Sequence, residues 1–193
     1  MPATVHAALQ AERRQVLAET CADLLKERAE FVWEIGCGHG HFLTAYAQAH
    51  ADRLCIGVDL TQDRIARADR KRDRARLANL HFLQAEARDF LAALPRAARF
   101  SALYILFPDP WPKRRHRKHR LLNPAFLSEI APRAAAEARL YLRTDYEPYF
   151  AEARAALQSS ADWRPVDEPW AFETPTVFQA RAPAYQSLTA VRA

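Results

Sequence analysis

Three of the four glycines in this 193-residue chain lie within five consecutive residues, at Gly36, Gly38 and Gly40. The apolar run at 31–35 predicts a buried strand before them, and the helical spacing of apolar side chains at 41–50 predicts a helix after them. Glycine adopts positive φ and allows a ligand to approach the backbone closely. The pattern therefore predicts a strand, a glycine turn and a helix, as in ligand-binding βαβ units.

Asp59 extends this unit. It follows a second predicted strand at 53–58 and comes 23 residues after Gly36, where an acid in nucleotide-binding folds accepts hydrogen bonds from ribose hydroxyls. The turn is GxGxG preceded by Glu34, and a carboxylate there disfavours a pyrophosphate at the helix N-terminus. A ligand with a cationic end and a ribose fits better, and S-adenosylmethionine has both. The alternative is a purely structural glycine turn in another α/β protein.

Strands and helices alternate along most of the remaining chain, which favours an α/β fold with a mostly parallel sheet. Further strands are predicted at 80–84, 100–106 and 138–143, and helices at 7–30, 62–78 and 147–157. Thr61 is expected to cap helix 62–78. Asn123 and Pro124 supply the N-cap and first-turn residues of another helix.

Glu86 directly follows the predicted strand 80–84. Two interpretations are open for it. Its carboxylate is placed to accept a hydrogen bond from an adenine amino group. Alternatively, it is an acid at a helix N-terminus, where the helix dipole favours negative charge.

The segment 107–112, which we call the proline loop, ends the strand at 100–106. Three prolines in five residues exclude both a helix and ladder pairing. Asp109 and Trp111 therefore lie on a stiff segment at the carboxyl end of a strand, the edge where open α/β sheets bind ligands. Asp145 follows the strand at 138–143 on the same edge. A solvated turn without function is the alternative.

A cationic run at 113–120 follows the proline loop and contains six Lys or Arg and two His. Phosphate contacts are expected from its cations, which are Lys113, Arg114, Arg115, Arg117, Lys118 and Arg120. The net charge of +5 and the pI of about 9.4 also favour an anionic partner. The cations of helix 62–78 are expected mainly to form a solvated face, with a minority that extends the basic surface.

Length and composition limit the number of domains and the cellular setting. The length predicts one domain over 1–193, with an N-terminal helical part at 1–30 and a tail at 160–193. The chain has three cysteines without CxxC spacing, which predicts no metal site and a reducing, cytoplasmic setting. No apolar stretch is long enough to span a membrane, and no secretion signal is recognised.

Three blocks of the chain resemble the tRNA (guanine-N7)-methyltransferase family. They are EIGCGHG at 34–40, FPDPWPKRRHRKHR at 107–120 and RTDYEPY at 143–149, and the second is the most specific. The resemblance implies a class I methyltransferase fold, which is a doubly wound, mostly parallel seven-stranded sheet with helices on both faces. It also implies tRNA as partner and N7 of guanine 46 in the variable loop as target.

The resemblance also implies roles for individual residues. S-adenosylmethionine would contact Glu34, Asp59, Glu86 and Asp109, and the substrate would contact Lys113, Asp145 and Thr176. We hypothesise that Asp145 or Asp109 accepts hydrogen bonds from guanine N1–H and N2–H. Trp111 either stacks on the base or supports the loop.

The tail departs from the family pattern. A Thr-x-Phe-Glu motif followed by a glycine-containing stretch is replaced here by Thr176-Val177-Phe178-Gln179, with no glycine after it. Two other functions therefore stay open: a catalytically silent RNA-binding protein on the same fold, and a methyltransferase for another substrate. The four acids at the implied cofactor site favour an enzyme over a binding module.

Overall fold

The computed structural model describes residues 3–174 and 184–193, with side chains from residue 8 onward. The pattern of the tail also predicts a short strand near 176–180. That segment, with the predicted substrate contact Thr176, lies outside the described residues.

The described residues form a seven-stranded sheet in the order β3-β2-β1-β4-β5-β7-β6. Its strands are β1 (Glu30–Ile35), β2 (Cys55–Asp59), β3 (Leu80–Gln84), β4 (Arg99–Leu106), β5 (Ala134–Thr144), β6 (Trp163–Val166) and β7 (Gln186–Arg192). Strands β1 to β5 are parallel to one another, and β7 runs antiparallel to both β5 and β6. The predicted mostly parallel seven-stranded sheet is confirmed.

Helices cover both faces of the sheet, as predicted. They are α1 (Ala3–Leu24), α2 (His41–Ala49), α3 (Gln62–Ala75), α4 (Ala87–Ala93), α5 (Pro124–Ile130) and α6 (Glu147–Gln158), with 3-10 turns at Arg114–His119 and Ala131–Arg133. Alternate residues of a strand point to opposite faces. Trp33 and Leu103 thus pack with α1, α4, α5 and α6, and Val32 and Tyr104 with α2 and α3. Among the described helices, none is long and apolar enough to cross a membrane.

Several predicted boundaries are wrong by a few residues. The first helix ends at Leu24 and not at residue 30, because the chain must turn into β1. The turn buries Leu25 and lets the Arg28 guanidinium donate to the Asp52 carbonyl at 3.0 Å. Helix α3 ends at Ala75 because Arg76 adopts a left-handed φ of 56°.

The two predicted caps have different outcomes. Asn123 is confirmed, since its side chain accepts a hydrogen bond from the Phe126 amide at 3.0 Å. Thr61 occupies the N-cap position of α3, but its side chain makes no capping hydrogen bond. Asp59 instead accepts a hydrogen bond from the Thr61 amide at 2.8 Å.

The tail completes the sheet and also covers part of one face. The segment 167–174 places Trp170 and Phe172 against the core cluster on the α2 and α3 side. The Trp170 ring lies 5.2 Å from that of Tyr141, and the Phe172 ring lies 5.2 Å from that of Tyr46. These aromatic rings therefore shield apolar surface beside β4 and β5.

Candidate active site

The glycine turn, residues 36–40, connects β1 to α2. Gly36, Gly38 and Gly40 have φ values of 73°, 54° and 68°, all in the left-handed region. A Cβ atom on Gly40 would lie 2.5 Å from Cζ of Phe82, so this glycine is required for packing. A Cβ on Gly36 or Gly38 would meet no atom within 4 Å. Gly36 and Gly38 thus present backbone to open space.

Asp59 joins the glycine turn to the end of β2. Its carboxylate accepts hydrogen bonds from the Gly38 amide at 3.0 Å and from the Thr61 amide at 2.8 Å. Arg64 Nη1 approaches it to 3.6 Å. The side chain is only 5% exposed, so its orientation is fixed by backbone groups. The structure thus places Asp59 directly beside the glycine turn.

Glu34 lies beneath the turn, on β1. It is 3% exposed, and its Oε2 has no hydrogen-bond partner among the described residues. Burial raises the pKa of Glu34 to about 8; the Leu43 amide opposes this rise and the negative charge of Asp59 adds to it. Burying a carboxylate oxygen without a hydrogen-bond donor costs folding free energy. A cationic group of a ligand would supply the missing partner.

Glu86 caps the next helix along the edge. Its Oε2 accepts hydrogen bonds from the Arg88 amide at 2.7 Å and from the Asp89 amide at 3.3 Å. The helix-terminal interpretation is therefore confirmed. Glu86 also lines a cavity.

That cavity, about 590 Å³ in volume, opens beside the ends of β2 and β3 and is bounded by α1. Its apolar lining includes Val16, Leu17, Leu60, Leu83 and Ala85. Leu60 and Val16 are 68% and 56% exposed, which is unusual for large aliphatic side chains. The sequence analysis did not single out these residues. The available signal was Leu60, an apolar residue directly after the acid of a βαβ unit.

The proline loop is held from below by a buried arginine. Arg120 is 2% exposed and donates from Nε to the Pro110 carbonyl at 2.9 Å and from Nη2 to the Trp111 carbonyl at 3.4 Å. It also pairs with Glu152 at 2.5 Å. The prediction that Arg120 contacts phosphate is wrong, because its guanidinium is committed to supporting the loop.

Trp111 is half-buried within this loop and has a φ of 44°. The His119 ring lies 5.2 Å from its ring, and the His116 ring lies 5.9 Å away in a perpendicular arrangement. Both histidines belong to the 3-10 turn of the cationic run. These contacts support the interpretation of Trp111 as a loop support.

The other cations of the run project outward. Lys113, Arg114, Arg115 and Lys118 are exposed and make no ion pair with any residue that the structure describes. Arg117 lies 3.3 Å from Glu152, and an exposed pair of this kind is weak. The run thus offers several uncompensated positive charges beside the proline loop.

Asp109 and Asp145 lie at the carboxyl ends of the adjacent parallel strands β4 and β5. The loops that carry them are joined where the Phe107 amide donates to the Arg143 carbonyl at 2.8 Å. Both carboxylates are exposed, and neither is hydrogen-bonded or ion-paired within the described ranges. They are available to hydrogen-bond donors of a ligand.

Arg143 is a residue that the sequence analysis missed. It is buried at the end of β5, with its guanidinium 3.8 Å from the centre of the Trp170 ring. It donates to Glu173 at 2.9 Å and to Ser187 Oγ at 3.1 Å. The signal was a cation at the end of an apolar strand. Arg143 fastens the tail to the strand that leads to Asp145.

Solved structures share this architecture. The aminoglycoside resistance methyltransferase NpmB1 matches with a TM-score of 0.61 and 21% identity, over 88% of this chain and 92% of that one. A 16S rRNA (adenine(1408)-N(1))-methyltransferase variant from Catenulisporales acidiphilia matches with a TM-score of 0.59 and 17% identity, over 91% of each chain. These likenesses show that the fold is that of the class I methyltransferases.

Sequence comparison identifies the family. A profile described as "Putative methyltransferase" matches residues 28–184. Three similar proteins are named tRNA (guanine-N(7)-)-methyltransferase. The one from Thermus thermophilus is 34% identical over 72% of this chain and 43% of its own length, and the one from Caulobacter sp. is 38% identical over 66% of this chain and 56% of its own length. The one from Synechocystis sp. is 31% identical over 80% of this chain and 79% of its own length. The chain spans about half the length of the first two relatives. The profile match and the Synechocystis alignment show that the chain belongs to the tRNA (guanine-N7)-methyltransferase family.

Proposed function

We propose that this protein is an S-adenosylmethionine-dependent methyltransferase that modifies N7 of guanine 46 in the variable loop of tRNA. The observation that carries this proposal is the buried, unpartnered Oε2 of Glu34 beside an open glycine turn. That arrangement is suited to a small ligand with a cationic group.

The residues at this edge fit the cofactor group by group. Glu34 would accept the ammonium, whose charge favours the ionised carboxylate. Gly36 and Gly38 leave room for close backbone contact. Asp59 would accept the ribose hydroxyls, and the cavity between α1 and Glu86 would hold the flat adenine.

When bound, S-adenosylmethionine supplies an electrophilic methyl group on its sulfonium. Guanine N7 has an exposed lone pair and needs no general base. The protein therefore contributes mainly orientation, which in ideal cases supplies roughly 7–11 kcal/mol. Asp109 and Asp145 would accept from guanine N1–H and N2–H and stabilise the positive charge that develops on the purine.

The tRNA would be held through its phosphates. Lys113, Arg114, Arg115 and Lys118 are exposed and uncompensated beside the two acids, and phosphate contacts position a nucleic acid without reading its sequence. The target base must leave its stack to reach the carboxylates. Thr176 stays a predicted substrate contact.

We place this activity in the cytoplasm. The three cysteines Cys21, Cys37 and Cys55 are buried free thiols. Burial raises the pKa of Cys21 to about 11 and that of Cys55 to about 12. Cysteines that form no disulfide are typical of proteins in reducing compartments.

The test is methyl transfer from labelled S-adenosylmethionine to an unmodified tRNA transcript, with modified bases mapped by nuclease digestion. A matched transcript with adenine at position 46 and the Asp109→Ala variant serve as controls. We expect N7-methylguanine only with the natural transcript and the unsubstituted protein. Binding of the cofactor in calorimetry without methylation of either transcript would overturn the activity. Methylation at another guanine would overturn the position.

A further inference from the structure

Helix α3 has four cations along one side. Arg64, Arg67, Lys71 and Arg74 follow one another at spacings of three, four and three residues, so their side chains form a continuous row. At 1.5 Å per residue the row is about 15 Å long. We call it the α3 stripe.

Acids on the same helix do not neutralise the stripe. Arg72, which is not part of it, pairs with Asp69 at 2.8 Å and with Asp73 at 2.7 Å. In the stripe, Arg64 approaches Asp59 only to 3.6 Å. Arg67 and Arg74 are exposed and have no ion pair in the described part of the chain. Most of the positive charge is thus available to a partner.

The stripe is joined to the glycine turn. Lys71 Nζ donates to the His39 carbonyl at 2.7 Å, and the exposed rings of His39 and His41 lie 6.3 Å apart. Burial first, and then the charges of Arg67 and Lys71, lower the pKa of His39. The pKa of His41 is lowered by burial and by Lys71. Desolvation is the larger cause of both shifts, and Lys71 contributes to both, so the stripe also acts electrostatically on the turn.

The shape of the stripe distinguishes between classes of anionic partner. A small anion requires donors that converge in a concavity, whereas this row lies along the outside of a helix. A helix that binds stably in a membrane interface carries large apolar side chains beside its cations. The large apolar side chains that the structure shows as exposed are Leu9, Val16, Leu60 and Tyr185, and none belongs to α3. A linear polyanion fits the row best.

We propose that the α3 stripe, together with His39 and His41, is a second binding surface for the sugar–phosphate backbone of RNA. The inference rests on the proposed function, because the same tRNA would occupy both surfaces. Along the chain, the α3 stripe comes after β2 and the cationic run comes after β4. Across the sheet, β1 and its glycine turn lie between β2 and β4. An RNA held at both surfaces would straddle the reaction centre.

The test variant is Arg67→Ala/Arg74→Ala, which avoids Arg64 because that residue approaches Asp59. The matched control is Arg96→Ala/Arg164→Ala. It removes the same charge from exposed arginines in the α4–β4 loop and in β6, and neither arginine has an ion pair among the residues described. Binding of unmodified tRNA is measured by fluorescence anisotropy between 50 and 300 mM KCl, together with the KM for tRNA and the cofactor Kd.

We expect the stripe variant to raise the Kd for tRNA about tenfold and to reduce its salt slope by roughly 1.4–1.8, the loss of two phosphate contacts. The KM for tRNA should rise in parallel, while the control matches the unsubstituted protein. A stripe variant with the Kd and slope of the control would overturn the inference. Its cofactor Kd and thermal midpoint, compared with the unsubstituted protein, show whether it is folded.

The outcomes also separate this inference from the proposed function. If the unsubstituted protein methylates tRNA but the stripe variant binds normally, only the second surface is overturned. If the unsubstituted protein binds tRNA without methylating it, and the stripe variant loses binding, the second surface is supported and the proposed activity is overturned.

Discussion

The two halves of the sheet hold their functional groups in different ways. At β1 and β2, the carboxylates of Glu34 and Asp59 are buried, and the glycine turn fixes Asp59 through a backbone amide. At β4 and β5, Asp109 and Asp145 are exposed on loops. The first arrangement suits a small ligand of constant shape, and the second suits a large ligand that approaches from solvent.

The two halves of the sheet also differ in the contacts that hold their loops in place. The glycine turn is packed against the core at Gly40, where an added Cβ atom would lie 2.5 Å from Phe82 Cζ and 2.9 Å from Ala68 Cβ. The proline loop instead is held by the buried Arg120 guanidinium together with two lighter supports, the Phe107 amide and the Trp111 ring. We therefore expect substitutions in the first half to affect the whole fold and substitutions in the second half to affect one loop.

The largest expected effect is at the glycine turn. Gly40→Ala adds a Cβ 2.5 Å from the Phe82 ring and 2.9 Å from Ala68 Cβ, at a left-handed φ. Overpacking costs about 1–3 kcal/mol and the left-handed conformation about 1–2 kcal/mol. The free energy of unfolding, measured with urea, should fall by about 4 kcal/mol.

Gly36→Ala is the matched control, because it has a left-handed φ and open space around its Cβ. It should lose only about 1–2 kcal/mol of stability but weaken cofactor binding in calorimetry. Equal losses of stability in the two variants would show that steric packing does not distinguish these glycines.

A smaller effect is expected from the support of the proline loop. Arg120→Ala removes the donor to the Pro110 and Trp111 carbonyls and leaves Glu152 without its buried partner. Glu152 is partly exposed, so the loss should be about 2–3 kcal/mol, below the full cost of breaking a buried pair. Urea unfolding measures it, and tryptic cleavage after Arg114 and Arg115, directly beside the loop, should become faster.

Arg117→Ala is the control, since it removes an exposed partner of the same carboxylate and should cost at most about 0.5 kcal/mol. If both variants lose the same stability, Glu152 and not the buried guanidinium is the source of the effect.

The sequence was informative where local chemistry decides the structure. Pattern and spacing predicted the glycine turn, an acid at the end of β2 and the proline loop, because glycine and proline restrict the backbone directly. Burial of Arg120 was not predictable, since the cationic run gives no sign of which member faces inward. Its partner Glu152 is distant in sequence and becomes a neighbour only after α6 has packed.

The structure of the tail was also not predictable from the sequence. Strand β7 pairs with β5, and β6 pairs with β7, both antiparallel; these partners are distant in sequence, and the pattern of the tail alone was ambiguous. The role of Arg143 depends on Trp170 and Glu173, which reach it from the tail. Contacts between distant segments also form the cavity between α1 and Leu60.

The smallest expected effect is a pH dependence of cofactor binding, which distinguishes the buried acid Glu34 from the exposed acids. Burial raises the pKa of Glu34 to about 8, so the free protein carries a protonated Glu34 at neutral pH. An ammonium prefers the carboxylate, so cofactor binding at pH 6–8 should release a proton. The affinity should rise up to tenfold per pH unit, about 1.4 kcal/mol, and level off above pH 8. Calorimetry in two buffers of different ionisation enthalpy measures both quantities.

Glu34→Gln is the control that separates ionisation from packing, because it keeps the shape of the side chain and removes its titration. Its cofactor affinity should be weak and independent of pH between 6 and 8. The free energy of unfolding changes with pH in the opposite direction to cofactor affinity. A folded-state pKa above the unfolded value means that the folded protein retains a proton that the unfolded chain releases, so Glu34 lowers stability progressively as pH rises from about 4.5 to about 8. The variant should lack this decline in urea unfolding. A pH-dependent affinity that persists in Glu34→Gln would assign the proton to another group and remove Glu34 as the ammonium acceptor.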